Sequence, residues 1–401
     1  MLLTHLSLTN FRLFTRLEAR LPDGPILLVG ANAQGKTSLL EAISYLSSAS
    51  SPHASHDRQL INLLAMRGEA PFARLVGEVR AGERDQRIEI RLISSTGPTS
   101  DSRLQKELLL NGVKKKMRDL VGVFPSVLFL PQDMMIVEGS PSERRRYLDS
   151  AIGQVSRAYA EALGEYARAL TQRNALLKQA QEHALDPALL SAWDVTLSEP
   201  AATVIRERAL ALLELGRLAE QIHRRLSRGA ETLHLEYLPA FSPEAQGGGQ
   251  IALPFSSASE PSLMTREAIR AGMLEALARA RPEELARGTT LIGPHRDDVR
   301  FTGDGLDLRM YGSRGQNRTA MLAAKLAEVD WLREKTGETP VLLLDEVLAE
   351  LDTARREDLL GRVLESPQAV LTSSDAAMFP AEFRRRATIW EIRGGRIEGS
   401  G

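Results

Sequence analysis

Apolar and polar residues alternate from Leu2 to Asn10, the period-two pattern of a half-buried strand, and Ile26-Leu27-Leu28-Val29 is a short apolar run that ends in a glycine-bearing loop. The opening of the chain therefore reads strand, turn, buried strand, with a helix expected from Lys36. Ala73 to Ser94 reads as two strands around the turn Ala81-Gly82-Glu83-Arg84. Asn111-Gly112, between Leu108-Leu109-Leu110 and Val113, signals a hairpin, because a two-residue turn of this kind needs two left-handed residues. Strand structure is expected to continue to about Leu130.

The period changes after Pro141. Val155, Tyr159, Leu163, Tyr166 and Leu170 recur at helical spacing, and Val204, Leu212, Leu215, Ala219, Ile222 and Leu226 repeat the pattern beyond Pro200. These stripes predict a mostly helical lobe whose apolar faces form packed core. A strand-like Thr232 to Leu238 follows, then a Gly/Ser/Pro-rich loop from about Ser242 to Ser262 and a helix near Thr265 to Ala280. Strand-like patterning returns from Thr289. Val341-Leu342-Leu343-Leu344 and Ala369-Val370-Leu371-Thr372 are continuous apolar runs of the kind that sit centrally in a parallel sheet covered on both faces. The fold class is thus α/β with a mixed sheet. One domain is split between residues 1–135 and 286–401, and residues 136–285 form an inserted, mostly helical lobe. No internal repeat is visible, and no heptad pattern runs long enough for an extended coiled coil.

With 401 residues, 43% of them hydrophobic and 26% charged, the chain has the composition of a globular protein. Its 51 basic and 52 acidic residues nearly cancel, so nucleic-acid binding would have to come from local basic patches. The absence of cysteine removes disulfide frameworks, thiolate metal sites and cysteine nucleophiles. The N-terminus lacks the pattern of a signal peptide and no stretch reaches membrane-span length, which gives a cytoplasmic expectation with no membrane partner.

Gly30-Ala31-Asn32-Ala33-Gln34-Gly35-Lys36-Thr37 fits GxxxxGK[ST] and lies between a predicted buried strand and a helix. The chemistry follows from the backbone: successive N–H groups curl around phosphate oxygens and the helix N-terminus adds its positive end. Lys36 is placed for the β- and γ-phosphates of ATP, and Thr37 offers a hydroxyl to Mg2+. The run Leu342-Leu343-Leu344-Asp345-Glu346 supplies the second half of such a site, with Asp345 directed to the metal and Glu346 placed to polarise the attacking water. A strand-terminal cap is the competing reading, and burying such carboxylates without a cation would be costly.

Tyr311-Gly312-Ser313-Arg314-Gly315-Gln316 precedes Asp345 by some thirty residues and opens the helical run Arg318 to Glu334. It resembles the SxGQ signature of the ABC/SMC-head ATPases, with Ala349-Glu350-Leu351-Asp352 resembling their D-loop. That resemblance implies a P-loop ABC/SMC-like head in which Ser313, Gly315, Gln316 and Asp352 contact nucleotide held by a second copy. Taken alone, the first segment is also an ordinary glycine-containing helix start. Gln132 is a candidate for the residue that senses magnesium and assists catalysis, with a surface glutamine in a turn as the alternative. Where many such proteins carry a switch histidine, the chain reads Thr372-Ser373-Ser374-Asp375, leaving Ser373 or Asp375 as candidates. Asn10-Phe11-Arg12 resembles a segment that reaches toward nucleotide in SMC-type heads, while Arg12 reads equally as a solvated strand end.

Three further blocks carry a narrower resemblance: Pro131 to Asp149 (PQDMMIVEGSPSERRRYLD), Gly293-Pro294-His295-Arg296-Asp297-Asp298, and Asp345 to Asp352 (DEVLAELD). Together with the N-terminal block they resemble the RecF family, although Gln132 stands where that family is associated with an acidic residue. The resemblance implies an ATP-dependent homodimer on DNA, slow ATP hydrolysis, and help in loading RecA at single-strand gaps with RecO and RecR as partners. It also implies a nucleoid-associated location and binding at duplex and single-strand/duplex junctions. From the residues themselves, Lys114-Lys115-Lys116, Arg144-Arg145-Arg146, Arg224-Arg225 and Arg384-Arg385-Arg386 are candidate phosphate contacts, each also readable as a solvated face. No aromatic-basic interleaving suggests base readout, so binding is expected to be independent of sequence.

Other classes fit less well. In an ABC-type transporter subunit, the main alternative, the signature usually follows the P-loop after roughly a hundred residues by family resemblance, whereas Ser313 follows Thr37 by 276 positions. A structural SMC tether needs long antiparallel arms, and helices of about 25 residues reach only ~40 Å. A small-molecule kinase leaves Glu346 and the signature without a purpose.

Overall fold

The computed structural model describes residues 1–94, 104–183, 187–241 and 264–398. The Gly/Ser/Pro-rich segment expected from Ser242 to Ser262 lies outside them. The chain divides into two compact units, Met1–Asp133 with Glu328–Gly401, and Met134–Ala327.

In the first unit, two six-stranded sheets enclose an apolar core. One sheet is antiparallel, in the order Phe14–Arg20, Leu2–Phe11, Phe72–Ala81, Arg84–Ser94, Leu104–Leu110, Val113–Lys115. The hairpin at Asn111-Gly112 forms because both residues take left-handed backbone angles, φ 52° and 79°. Strand Phe14–Arg20 was not expected. Its neighbours in sequence break strict alternation, and only pairing with Leu2–Phe11 organises it. The other sheet runs Arg396–Glu398, Thr388–Arg393, Gly24–Val29, Gln368–Ser373, Val341–Asp345, Ser126–Phe129, parallel except for the terminal hairpin. Val341–Asp345 and Gln368–Ser373 are buried at every position, which is why their sequences are continuous rather than alternating apolar runs. Buried Gln368 joins the layers, accepting from Leu3 N at 2.8 Å and donating to Leu3 O and Pro22 O at 3.0 Å. Helix Lys36–Ser48 buries most of its side chains against strands of both sheets.

In the second unit, helices Arg157–Glu182 and Pro187–Leu226 pack antiparallel, with Arg173 against Asp194 and Tyr159 against Arg208. The second helix runs through Pro200 instead of starting beyond it. A mid-helix proline costs about 3 kcal/mol, and the complete burial of Leu197, Ala201 and Ala202 around it offsets that cost. At 40 residues this helix is about 60 Å long, beyond the expected 25 residues. Helix Arg266–Arg287 packs on it, and strand Asp298–Gly303 pairs antiparallel with Leu233–Leu238. The stretch after Thr289 stays irregular until Asp298. Compactness groups residues 286–327 with the helical unit, where sequence had assigned them to the head, because Asp298–Gly303 pairs with Leu233–Leu238 and Asp298 pairs with Arg144. Helix Arg314–Thr336 begins in this unit and ends in the other.

Candidate nucleotide-binding site

Strand Gly24–Val29 delivers the glycine-rich loop to the N-terminus of helix Lys36–Ser48. Two positions explain the glycines. A Cβ at Gly30 would stand 2.5 Å from the Ile392 carbonyl oxygen, and Gly35 has φ 111° with the Phe14 ring 3.2 Å from where its Cβ would be. Gly35 caps the helix without a side-chain hydrogen bond, so the first N–H groups stay available to an anion. The loop is also anchored: Gln34 accepts from Gly394 N through its side chain at 2.7 Å and from Gly395 N through its carbonyl at 3.1 Å. Nothing in the local sequence pointed to that anchor.

An open pocket is lined by Leu13, residues Asn32 to Ser38, Pro131, Asp345 and Glu346. It brings together the residues that sequence selected from opposite ends of the chain. Thr37 Oγ1 donates to the Asp345 carboxylate at 3.0 and 2.9 Å. Lys36 is 5% exposed; its ammonium donates to Gly30 O at 2.7 Å and Ala31 O at 3.1 Å and pairs with Glu346 Oε1 at 3.3 Å. Glu346 is 42% exposed and left-handed at φ 50°, a strained angle for a non-glycine residue that turns the chain sharply away from the strand end. Thr372 completes the arrangement, donating to Asp345 Oδ1 at 2.7 Å and accepting from Glu346 N at 3.0 Å. Its part was not anticipated; parallel register sets it opposite Asp345, and register is not written in either strand alone.

Other selected residues stand elsewhere. Gln132 is exposed in the turn Pro131–Met134, 3.4 Å from His53 Nδ1, and Pro131 lines the pocket instead. Arg12 is neither a solvated strand end nor a pocket residue: it forms a bidentate pair with Glu41 at 2.7 and 2.8 Å. Ser373 and Asp375 are engaged in a local turn, with Ser373 Oγ donating to Asp375 O at 2.8 Å and accepting from Asp375 N at 3.2 Å. Ser313 and Gln316 belong to the second unit, where they cap each other's backbone: Ser313 Oγ accepts from Gln316 N at 3.2 Å and Gln316 Oε1 from Ser313 N at 2.9 Å. This is a capping box, and it leaves Ser313 and Gly315 exposed at the helix start. Asp352 caps helix Thr353–Glu365, and the Arg355 N–H, then the Arg355 charge, hold its carboxyl below the usual range.

The basic runs differ among themselves. Lys114-Lys115-Lys116, Arg224-Arg225 and Arg384-Arg385-Arg386 are exposed. In the run at 144–146, Arg144 is only 2% exposed, clamped to Asp298 at 2.5 and 2.9 Å and to Gly139 O, so it is structural rather than a phosphate contact. The distinctive block from Pro131 to Asp149 does similar work at Tyr147, which donates to Ala324 O at 2.9 Å, and at Asp149, which accepts from Arg208 at 2.7 Å.

The family described as RecF/RecN/SMC N terminal domain matches residues 2–389. The DNA replication and repair protein RecF of Chloroflexus aggregans is 39% identical over 410 aligned positions, covering 99% of both chains. That of Bacillus subtilis is 35% identical, covering 99% of this chain and all of the relative. Among solved structures, the recombination mediator protein RecF-ATPrS in the RecFOR pathway superimposes with TM-score 0.84 at 30% identity, covering 99% of this chain and 97% of that one. The RecF-ATP form gives 0.82 at 30% identity, covering 100% and 97%. The transporter alternative gains nothing from these end-to-end matches.

Proposed function

Since this chain belongs to the RecF family, we propose that it is an ATP-dependent DNA-binding protein of recombinational repair and replication-fork maintenance, which dimerises on DNA and aids RecA loading at single-strand gaps. The carrying observation is the meeting of Thr37 with Asp345, and of Lys36 with Glu346, in one pocket. The triphosphate lies along the N–H groups of Gly30 to Gly35, and Lys36 exchanges Glu346 for phosphate oxygens. That exchange frees the Glu346 carboxylate to accept a proton from the attacking water.

Magnesium fits the Thr37–Asp345 pair. Asp345 is 7% exposed, and among the described residues its carboxylate meets hydroxyls and no cation, a costly burial unless a cation arrives. No cluster of three metal-ligating His, Cys, Asp or Glu side chains exists among the described residues, and magnesium characteristically takes few protein ligands and the rest from phosphate and water. Bound there, the ion supplies charge neutralisation for phosphoryl transfer. Ser313, Gly315, Gln316 and Asp352 of a second copy close the site, and slow hydrolysis reopens it. Gln132 joins only if the Pro131–Met134 turn rearranges. The exposed basic runs give sequence-independent phosphate contacts, RecO and RecR are the partners, and the setting is cytoplasmic at the nucleoid. No helix among the described residues is long and apolar enough to cross a membrane.

Fluorescence anisotropy of a gapped duplex, at fixed salt, tests the reading. Binding should require ATP with magnesium and vanish in Lys36→Ala; binding indifferent to nucleotide, or none at all, would refute it.

A further inference from the structure

Two corners of the chain hold apolar side chains in solvent on hydrogen-bonded backbone. In the first unit these are Leu13, Leu63 and Leu64, which are 52%, 80% and 67% exposed. They are neighbours because the segment after Leu60 runs beside the turn at Arg12: Arg12 N donates to Leu60 O at 2.8 Å, and Asn62 Nδ2 donates to Arg12 O at 2.6 Å. Buried Asn62 also accepts from Leu64 N at 2.9 Å, which fixes the two leucines outward. Leu13 lines the nucleotide pocket, so this corner forms part of its rim.

The other corner lies in the second unit. Met310 and Tyr311, 68% and 71% exposed, end the short helix Leu308–Tyr311, two residues before Ser313. That helix packs with helix Met135–Glu138, whose Met135 is 45% exposed. The corner is held by Asn317, which donates to Glu138 at 2.9 Å and leaves no room for a side chain at Gly312, where a Cβ would lie 2.1 Å from Asn317 Oδ1. Arg309 and Arg314 flank it, both exposed, and among the described residues neither guanidinium has an acidic partner.

Scattered exposed leucines are ordinary, but an apolar cluster beside a ligand site marks a surface that is covered in the working state. We infer that the Leu13–Leu63–Leu64 corner of one copy is covered by the Met135–Met310–Tyr311 corner of a second copy when nucleotide is bound. The inference rests on the proposed closure of Ser313 over a partner's nucleotide. Whatever carries Ser313 to a phosphate loop carries Met310 and Tyr311 to the rim of that pocket, and the rim is apolar at Leu13 and its neighbours. Charge agrees with this seating. Arg309 and Arg314, both exposed, arrive beside the anionic triphosphate and Glu346. In a two-fold pair the contact forms twice, so one substitution acts twice.

Sedimentation velocity with a non-hydrolysable ATP analogue and magnesium tests the pairing. Leu63→Glu and Met310→Glu should each raise the dimer dissociation constant at least tenfold. Both should keep the parental melting midpoint and binding of a fluorescent ATP analogue, because neither residue lines the pocket. Leu213→Glu, at another exposed leucine, should behave as the parent. Leu63→Ser and Tyr311→Ser should give smaller losses in the same direction, which decides the matter if a charged variant folds poorly. Parental dimerisation in all four corner variants overturns the inference and leaves the proposed function standing; a parent that stays monomeric with nucleotide overturns both.

Discussion

The helical unit and the glycine-rich loop bury charge in opposite ways. In the helical unit Arg173 is fully buried and every direction of its guanidinium is answered: Asp194 at 2.8 Å, Glu284 at 2.6 Å and Thr290 at 2.8 Å. Arg208, 2% exposed, is likewise held by Asp149 at 2.7 Å and Pro294 O at 2.6 Å. Around the glycine-rich loop, buried Lys36 rests on two carbonyls and a half-exposed Glu346, and buried Asp345 rests on hydroxyls. A buried ion with a full set of protein counter-ions is architecture. One held by neutral oxygens, as Asp345 is, suits a ligand of the opposite charge, since desolvation without a counter-charge is the expensive state.

That contrast is sharpest at Arg173. Arg173→Met strands Glu284 and leaves Asp194 with Arg281 alone, and should cost about 3–5 kcal/mol in urea unfolding at neutral pH; a loss under about 1 kcal/mol would mean the network is not what holds the lobe. Asp345→Asn makes the converse case. It should leave the urea midpoint unchanged or raised, because a buried charge is removed, while lowering ATP turnover by about a hundredfold, on the order of several kcal/mol of lost metal assistance. Equal losses in stability and turnover would erase the distinction between the two sites.

The smallest effect concerns pH. Burial, outweighing the hydrogen bond to Thr290 O, pushes the His295 imidazole down to about 4. A depressed folded value means the unfolded chain binds the proton more readily. The contribution is therefore present above the ordinary value near 6.5 and is lost as pH falls toward about 4. Asp297 opposes it: burial raises its carboxyl to about 6, so its contribution is present below the ordinary 3.8 and is lost as pH rises through about 6. In the parent the two slopes offset across mildly acidic pH. His295→Gln removes one, so as pH rises from 4.5 to 6 urea stability should decline more steeply than in the parent; an unchanged profile would show that His295 contributes no slope there.

The glycine-rich loop, the acidic pair at Asp345-Glu346 and the Asn111-Gly112 turn were legible because each depends on neighbours within a few residues. Strand Phe14–Arg20 and the passage of a helix through Pro200 were not, because long-range pairing and burial overrode weak local patterns. The arginine run at 144–146 shows the same limit: three like charges read as solvent-facing, yet Arg144 is buried because Asp298, distant in sequence, folds against it.

By itself, then, the order of residues determined the glycine-rich loop between strand and helix, the acidic strand end and the α/β class, since local backbone geometry and hydrophobic period are carried in short stretches. Tertiary structure alone decided that Thr372 bridges the two acids, that Gln34 is tied to the last hairpin, that Arg12 turns onto Glu41, and which basic residues face water. Those depend on strand register and on contacts between residues tens to hundreds of positions apart, which no local pattern encodes.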